Sequence, residues 1–457
     1  MSGSEYIEPP EGNFEGYEKS TRPPEDAFLT RVGPGTPCGE YWRRFWFPVA
    51  MTQEVTDLPL RIRILGEDLV LFRDGSSRYG LLQLHCSHRN TSLEFGLIEE
   101  RGISCCYHGW HYDIDGTILA TPGDADSNVK DRARHGAYPV IEYKGLVFAY
   151  MGPPDEMPVF PVFDSFELPD VEMVPYSITM PCNWLQVAEN TMDPMHAAFL
   201  HSRERDMHFA STWGELPFIE WYDHDWKMNL TMTRRLGDTI WVTVQETVYP
   251  ANSTVGYLWE EGTEEKYFTR VGFNKWTVPH DDTHCMVIAW RHFGDIDVKH
   301  MGKPEQVGKQ SVDFPGQTGT EPYDERQRNP NDFEAQVGQG PISVHASENL
   351  VAHDQGVALL RKHIREGIEA VQRGERVPSP PQDGSMLSCY AQNTVLPIPI
   401  QPNTDDDQLL RNVAKAVFKT VASGDGYAEP ERTAHIRDEL RKLPNESRFL
   451  SSLASAG

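Results

Sequence analysis

No stretch of this chain approaches the run of about 20 apolar residues that a membrane-spanning helix needs, which excludes such a helix. Basic residues are scarce, with 42 lysines and arginines against 68 acids, and no segment concentrates them. The formal charge of −26 makes nucleic acid and anionic membranes poor partners and leaves a basic patch on another protein as the surface it would attract. Cysteine is sparse too. Seven thiols, Cys38, Cys86, Cys105, Cys106, Cys182, Cys285 and Cys389, are too unevenly spread for a disulfide framework. The start, Met-Ser-Gly-Ser-Glu, has neither a basic flank nor an apolar run, so a cytoplasmic, reducing location is expected. No internal repeat stands out. At 457 residues the chain exceeds one ordinary core, so two domains or a large insertion are expected.

What is present is a concentration of metal-binding residue types. Cys86-Ser-His88-Arg89 and Cys105-Cys106-Tyr107-His108-Gly109-Trp110 offer two thiols and two imidazoles in the order Cys, His, Cys, His. A Rieske [2Fe-2S] centre uses two Cys on one iron and two His on the other. A single tetrahedral zinc can take the same four residue types. Zinc fingers favour paired Cys and paired His, whereas each loop here mixes one of each, which favours the iron–sulfur reading.

Around these loops, residues 38–155 alternate short β-rich runs such as Leu60–Ile64, Leu69–Phe72 and Val147–Tyr150 with Gly/Asp turns, as in a small antiparallel β domain. Residues 1–37 precede it, with an acidic, Pro/Gly-punctuated arm over 1–26 that is read as disordered or as a strap over a neighbour. Beyond it, over 156–457, the segments Trp226–Leu236, Thr239–Tyr249, Tyr267–Val278 and His284–His292 predict a larger antiparallel sheet. Residues 295–331 form a polar insertion without convincing periodicity. Helices are predicted over Ser347–Arg373, Asp406–Ala422 and Glu429–Leu443, with a Pro-rich connection at 377–403. The fold class is therefore α+β: an N-terminal antiparallel β metal-binding domain and a C-terminal domain with a large antiparallel sheet flanked by helices.

A second constellation lies in Asn183–His201, where Asn190, Asp193, His196 and His201 interrupt apolar positions of a helix-like run. Residues five apart on a regular helix differ by about 140° in azimuth, so His196 and His201 converge only if the helix breaks or widens near Pro194. Two imidazoles and one carboxylate make the facial triad of non-haem Fe(II) sites, with positions left open for oxygen and substrate. Asp193 is near in sequence, and it can serve equally to orient an imidazole or to connect two metal centres.

Together these blocks resemble the Rieske-type non-haem iron aromatic-ring oxygenases, in particular the α-subunits of the phthalate dioxygenase and aryl-ether O-demethylase branch. Arg31–Glu40 and Ala149–Pro153 add to the resemblance, which extends over most of the chain. It implies that Cys86 and Cys105 bind one cluster iron and His88 and His108 the other, while His196 and His201 bind a mononuclear Fe(II). It gives Asp193 the role of carrying electrons between the cluster of one subunit and the iron of its neighbour, with Asn190 beside it, and hence implies a homotrimer. The carboxylate ligand falls on Asp332, seven residues before Gln339-Gly-Pro-Ile342, with Glu334 and Asp354 as competitors. A lone Asp after a polar loop is otherwise most often a helix N-cap. Cys106 departs from the family pattern, which often has Pro there.

The activity implied is that of a terminal oxygenase, using O2 to hydroxylate or O-/N-dealkylate an aromatic substrate, with or without a carboxylate, in aromatic catabolism. The chain has no flavin or nicotinamide fingerprint, so a separate reductase or ferredoxin is expected to supply electrons. A Rieske electron carrier or a zinc-stabilised interaction protein is the alternative, but neither needs a second His/His/Asp set. Strand alternation puts Arg234 on one face with Met228, Leu230 and Met232. There it is either a structural ion pair, an end reaching solvent, or a clamp for a substrate carboxylate.

Overall fold

The computed structural model describes residues 10–202, 209–256, 261–294, 303–311, 318–401 and 405–446. The short β-rich runs between Trp46 and Tyr150 form three antiparallel sheets. One pairs Leu146–Tyr150 with Trp46–Met51 on one side and Val140–Tyr143 on the other. A second runs Leu60–Ile64, Glu67–Arg73, Tyr79–Gln83 and Ala137–Tyr138. The third, of two- and three-residue strands between Leu97 and Ala120, carries the second Cys/His loop at a turn.

The C-terminal part is built on one nine-stranded antiparallel sheet. Its order is Glu172–Met180, Cys285–Phe293, Val271–Pro279, Asn252–Gly256, Thr239–Val248, Lys227–Leu236 and Phe218–Asp223. Gln392–Leu396 joins it by pairing with both Thr239–Val248 and Lys266–Thr269. The helices Asp406–Ala422 and Glu431–Lys442 close a buried cluster around Ile240, Val242, Leu396 and Phe268.

Alternation along Val271–Pro279 gives the sheet two distinct faces. Trp276 points to one, where Phe148 of the N-terminal part meets it with ring centroids 5.5 Å apart and Trp290 lies 5.2 Å away. These edge-on aromatic contacts weld the two parts into one core. Phe273 and Lys275 line a cleft together with His196, His201 and Asp332.

Four predicted segments differ from the structure. The Ser347–Arg373 helix starts only at Gln355, because residues 345–347 and 352–354 form separate 3₁₀ turns. Tyr267–Val278 is two strands, Lys266–Thr269 and Val271–Pro279, separated at Arg270. The Pro-rich connection at 377–403 contains the Gln392–Leu396 strand. Within 295–331 a helix forms at Tyr323–Arg328, while 295–302 and 312–317 lie outside the described residues. Of the acidic arm, 1–9 also lie outside them, and Asp26 at its end pairs with Arg365 at 2.6 Å.

Candidate metal centres

The first Cys/His loop turns at Asn90, whose φ of 59° is left-handed, and the second at Gly109, with φ 69°. The turns return each chain to its strand: Asn90 N–H donates to the Cys86 carbonyl at 2.8 Å and Gly109 N–H to the Cys105 carbonyl at 2.9 Å. Cys86 and Cys105 are buried with their thiols adjacent, and His88 and His108 are exposed with ring centroids 4.6 Å apart. Two inward thiols and two outward imidazoles fit a two-iron cluster with one sulfur-ligated and one histidine-ligated iron. Tyr112 places its hydroxyl 3.0 Å from Cys86 Sγ, and Trp110 stacks on His88 at 4.7 Å. Cys106 points outward and is exposed.

The second site depends on a broken helix. Trp184–Glu189 is capped by Asn183, continues as a 3₁₀ turn over Asn190–Met192, and stops at Asp193. Asp193 has φ −113° and ψ 83°, and its side chain accepts from Met195 N–H at 3.2 Å, starting a new helix with Pro194 at its first turn. The break re-aims the following turns, so that His196 and His201 converge with ring centroids 5.3 Å apart. His196 Nδ1 donates to the Asp193 carbonyl, which leaves Nε2 as the available donor atom.

Asp332 meets this pair from the far end of the sequence. Its carboxylate oxygens lie 3.6 Å from His196 Nε2 and 3.3 Å from His201 Nε2, and all three ligand atoms are within 4.8 Å of one another. The helix N-cap is the neighbouring Asn331, which accepts from Phe333 N–H at 2.8 Å, so Asp332 is released from capping. Asn190 Nδ2 donates to Asp332 Oδ1 at 3.0 Å. Burial pushes the Asp332 carboxyl upward, but His201, His196 and Lys275 outweigh it and hold the group well below the usual carboxylate range. Burial pushes His196 down, favouring the neutral imidazole that a metal needs. Two imidazoles and one carboxylate converging in this way fit a facial Fe(II) site.

The competitors are engaged elsewhere: Glu334 with Arg326 at 2.6 Å, and Asp354 with Val351 N–H at 2.7 Å. Arg234 is buried behind the site wall. Its Nε donates to the Glu215 carbonyl at 2.9 Å, and its guanidinium lies over Trp213 and Trp241, 4.6 and 5.4 Å from their centroids. It is absent from the described lining of the cleft, which includes Trp213.

That cleft, of about 460 Å³, is walled by Phe209, Trp213, Met232, Val255 and Phe273, with Asn190, Asp193, Gln245 and Lys275 as polar members. Sequence reasoning did not single out Phe273 and Lys275. Their two-residue spacing on a predicted strand was the signal that they share a face.

A protein-family model described as Rieske [2Fe-2S] domain matches residues 45–137. The chain is 40% identical to the oxygenase subunit of tert-butanol monooxygenase / tert-amyl alcohol desaturase from Aquincola tertiaricarbonis, over 92% of this chain and 93% of that one. It is 38% identical to the α-subunit of phenoxybenzoate dioxygenase from Ectopseudomonas oleovorans, over 76% and 86% respectively. Among solved structures, the Pseudomonas putida CBB5 NdmA QL mutant with theobromine aligns with a TM-score of 0.57 at 20% identity, covering 74% of this chain and 93% of that one. Similarity to oxygenase subunits along nearly its whole length, beyond the cluster domain alone, excludes the carrier and zinc-scaffold readings. The chain belongs to the Rieske-type non-haem iron oxygenases, as an oxygenase that uses a [2Fe-2S] cluster and a mononuclear iron.

Proposed function

We propose that this protein is the terminal oxygenase of a multi-component system that hydroxylates or O-/N-dealkylates an aromatic substrate held in the cleft beside His196, His201 and Asp332. The observation that carries the substrate class is the wall of that cleft, in which Phe209, Trp213 and Phe273 offer aromatic faces and edges next to the triad. Residues 38–155 serve as the electron-accepting domain and 156–457 as the catalytic domain. Cys86, Cys105, His88 and His108 hold the cluster, and His196, His201 and Asp332 hold the iron. When bound, that iron supplies the oxygen-activating chemistry.

The chain's own residues orient and exclude. Asn190 fixes one Asp332 oxygen, the Asp193 carbonyl fixes the His196 tautomer, and the apolar wall keeps water from the substrate. Asp193 lines the cleft and connects it to a neighbouring subunit's cluster histidine in a cytoplasmic homotrimer. Arg234 backs Trp213 and through it sets the wall that a carboxylated substrate meets.

A second reading, a small tertiary alcohol as substrate, is favoured by the 40% identity to the tert-butanol monooxygenase subunit. One experiment separates them: incubation with a surrogate reductase, O2 and a panel of aromatic acids, aryl ethers, aryl amines and tert-butanol, with products identified by mass spectrometry. Oxidised or dealkylated aromatic products support the first reading, and turnover of tert-butanol alone replaces it with the second.

A further inference from the structure

The three residues proposed to hold iron come from segments more than a hundred positions apart, and something must seat Asp332 against the histidines. Gln186, buried on the Trp184–Glu189 helix, makes three hydrogen bonds to the segment that follows Asp332. Its Nε2 donates to the carbonyls of Gln336 at 2.8 Å and Gly340 at 3.0 Å, and its Oε1 accepts from Ser343 N–H at 2.9 Å. One turn later, Glu189 is gripped by Arg361 of the Gln355–Gln372 helix, Nε to Oε1 at 2.5 Å and Nη2 to Oε2 at 2.8 Å. The same guanidinium reaches Glu348 with Nη1 at 2.6 Å and Nη2 at 3.0 Å, and Ser343 Oγ donates to Glu348 at 3.4 Å.

Glu189, His345 and Glu348 bring their ligand atoms within 4.8 Å of one another, the geometry of a second metal site. Arg361 already neutralises both carboxylates bidentately, so a guanidinium stands where a cation would sit. The cluster's function therefore lies in what it joins. Gln186 and Glu189 lie on the helix that runs into the turn ending at Asp193, and Asn190, next in the chain, bonds to Asp332. Residues 336–348 are tied to the Trp184–Glu189 helix that leads into that turn, directly by the three Gln186 bonds and indirectly through Arg361, which holds Glu348 and Glu189 together.

We propose that Gln186 and the Glu189–Arg361–Glu348 ion cluster form a latch that seats the Asp332 segment on the histidine-bearing helix, making them positioning residues for retention of the mononuclear iron. The proposal rests on the assignment of His196, His201 and Asp332 as the iron's ligands. Groups that orient metal ligands typically change metal affinity by about 10–100-fold when removed.

The test measures release of mononuclear iron from the reconstituted full-length protein to a chromogenic chelator, with the visible absorption of the [2Fe-2S] cluster as an internal measure of folding. Gln186→Met keeps the volume and removes the three hydrogen bonds. Glu348→Gln keeps the shape and leaves Arg361 its Glu189 partner, so it serves if the first variant does not fold. Both are expected to release the mononuclear iron at least about 10-fold faster with cluster absorption unchanged, and cobalt substituted for the iron should show altered d–d bands. Wild-type release from both variants overturns the latch, and wild-type release from one removes that residue from it. His196→Ala in the same assay keeps the failures apart: if it retains the third iron, the ligand assignment has failed instead.

Discussion

At the scale of single residues, Asp193 does three things at once. Its carbonyl holds His196, its carboxylate caps the next helix, and its side chain borders the cleft. Asp193→Asn keeps the first, and its amide oxygen still caps, so the iron site should assemble normally. What it loses is the negative charge proposed to meet a neighbouring cluster histidine. Iron and sulfide contents should therefore match wild type while turnover falls on the order of 10²-fold, and rapid mixing of reduced protein with substrate and O2 should show the loss in cluster reoxidation. Full turnover in Asp193→Asn would remove the bridging role. Tyr112 acts on the cluster loop. With Cys86 as the proposed cluster ligand, its hydroxyl at 3.0 Å from Cys86 Sγ would stabilise an electron-rich reduced cluster more than an oxidised one. Tyr112→Phe should lower the midpoint potential by on the order of 50 mV, a shift that spectroelectrochemistry resolves.

Among elements, the turn over 190–193 is backed by the first turn of the Gln355–Gln372 helix. A Cβ on Gly356 would sit 2.5 Å from the Met192 carbonyl and 2.0 Å from the Trp221 ring. Alanine elsewhere in a helix interior would stabilise by about 1 kcal/mol over glycine. Here the clash reverses the sign. Gly356→Ala should cost about 1–3 kcal/mol in denaturant unfolding and displace the turn that carries Asp193. A stabilised variant would show that this contact yields without strain.

The same elements show what could be read from the sequence. The Asn183–His201 segment was legible because its Asp, Pro and His are local, and a helix that must break to bring its histidines together breaks where proline permits. Asp332 was reachable only through family resemblance, since its partners are distant in sequence and a capping Asp looks the same. Asn331 takes the cap instead, which no periodicity could reveal. Gln392–Leu396 stayed hidden because it is buried along its whole length between two strands and carries no apolar alternation. The Gln186 and Arg361 contacts were invisible for a similar reason: a polar residue on a helix reads as solvent-facing until the segment it bonds to is in place.

For the molecule as a whole, His88 and His108, the proposed cluster histidines, are exposed, and so are the large side chains Tyr107, Phe95 and Leu97, at 57, 68 and 64%. Leu350 and Val351 are also exposed, at 47 and 57%. A head-to-tail ring, in which unlike faces meet at every junction, would cover exposed apolar side chains of this kind and bring each proposed cluster to the next chain's iron. Two crippled chains test this. Cys86→Ser should lack the cluster and His196→Ala the mononuclear iron, and each alone should be inactive. Co-expressed in equal amounts, they should assemble at random, so about three quarters of trimers would be mixed, and each mixed ring has one junction in three that joins an intact cluster to an intact iron. Recovered activity should thus approach about a quarter of wild type, in a species whose mass by light scattering is that of three 51.9 kDa chains. If electrons instead pass within one chain, no mixture of the two recovers any activity, whatever its oligomeric state.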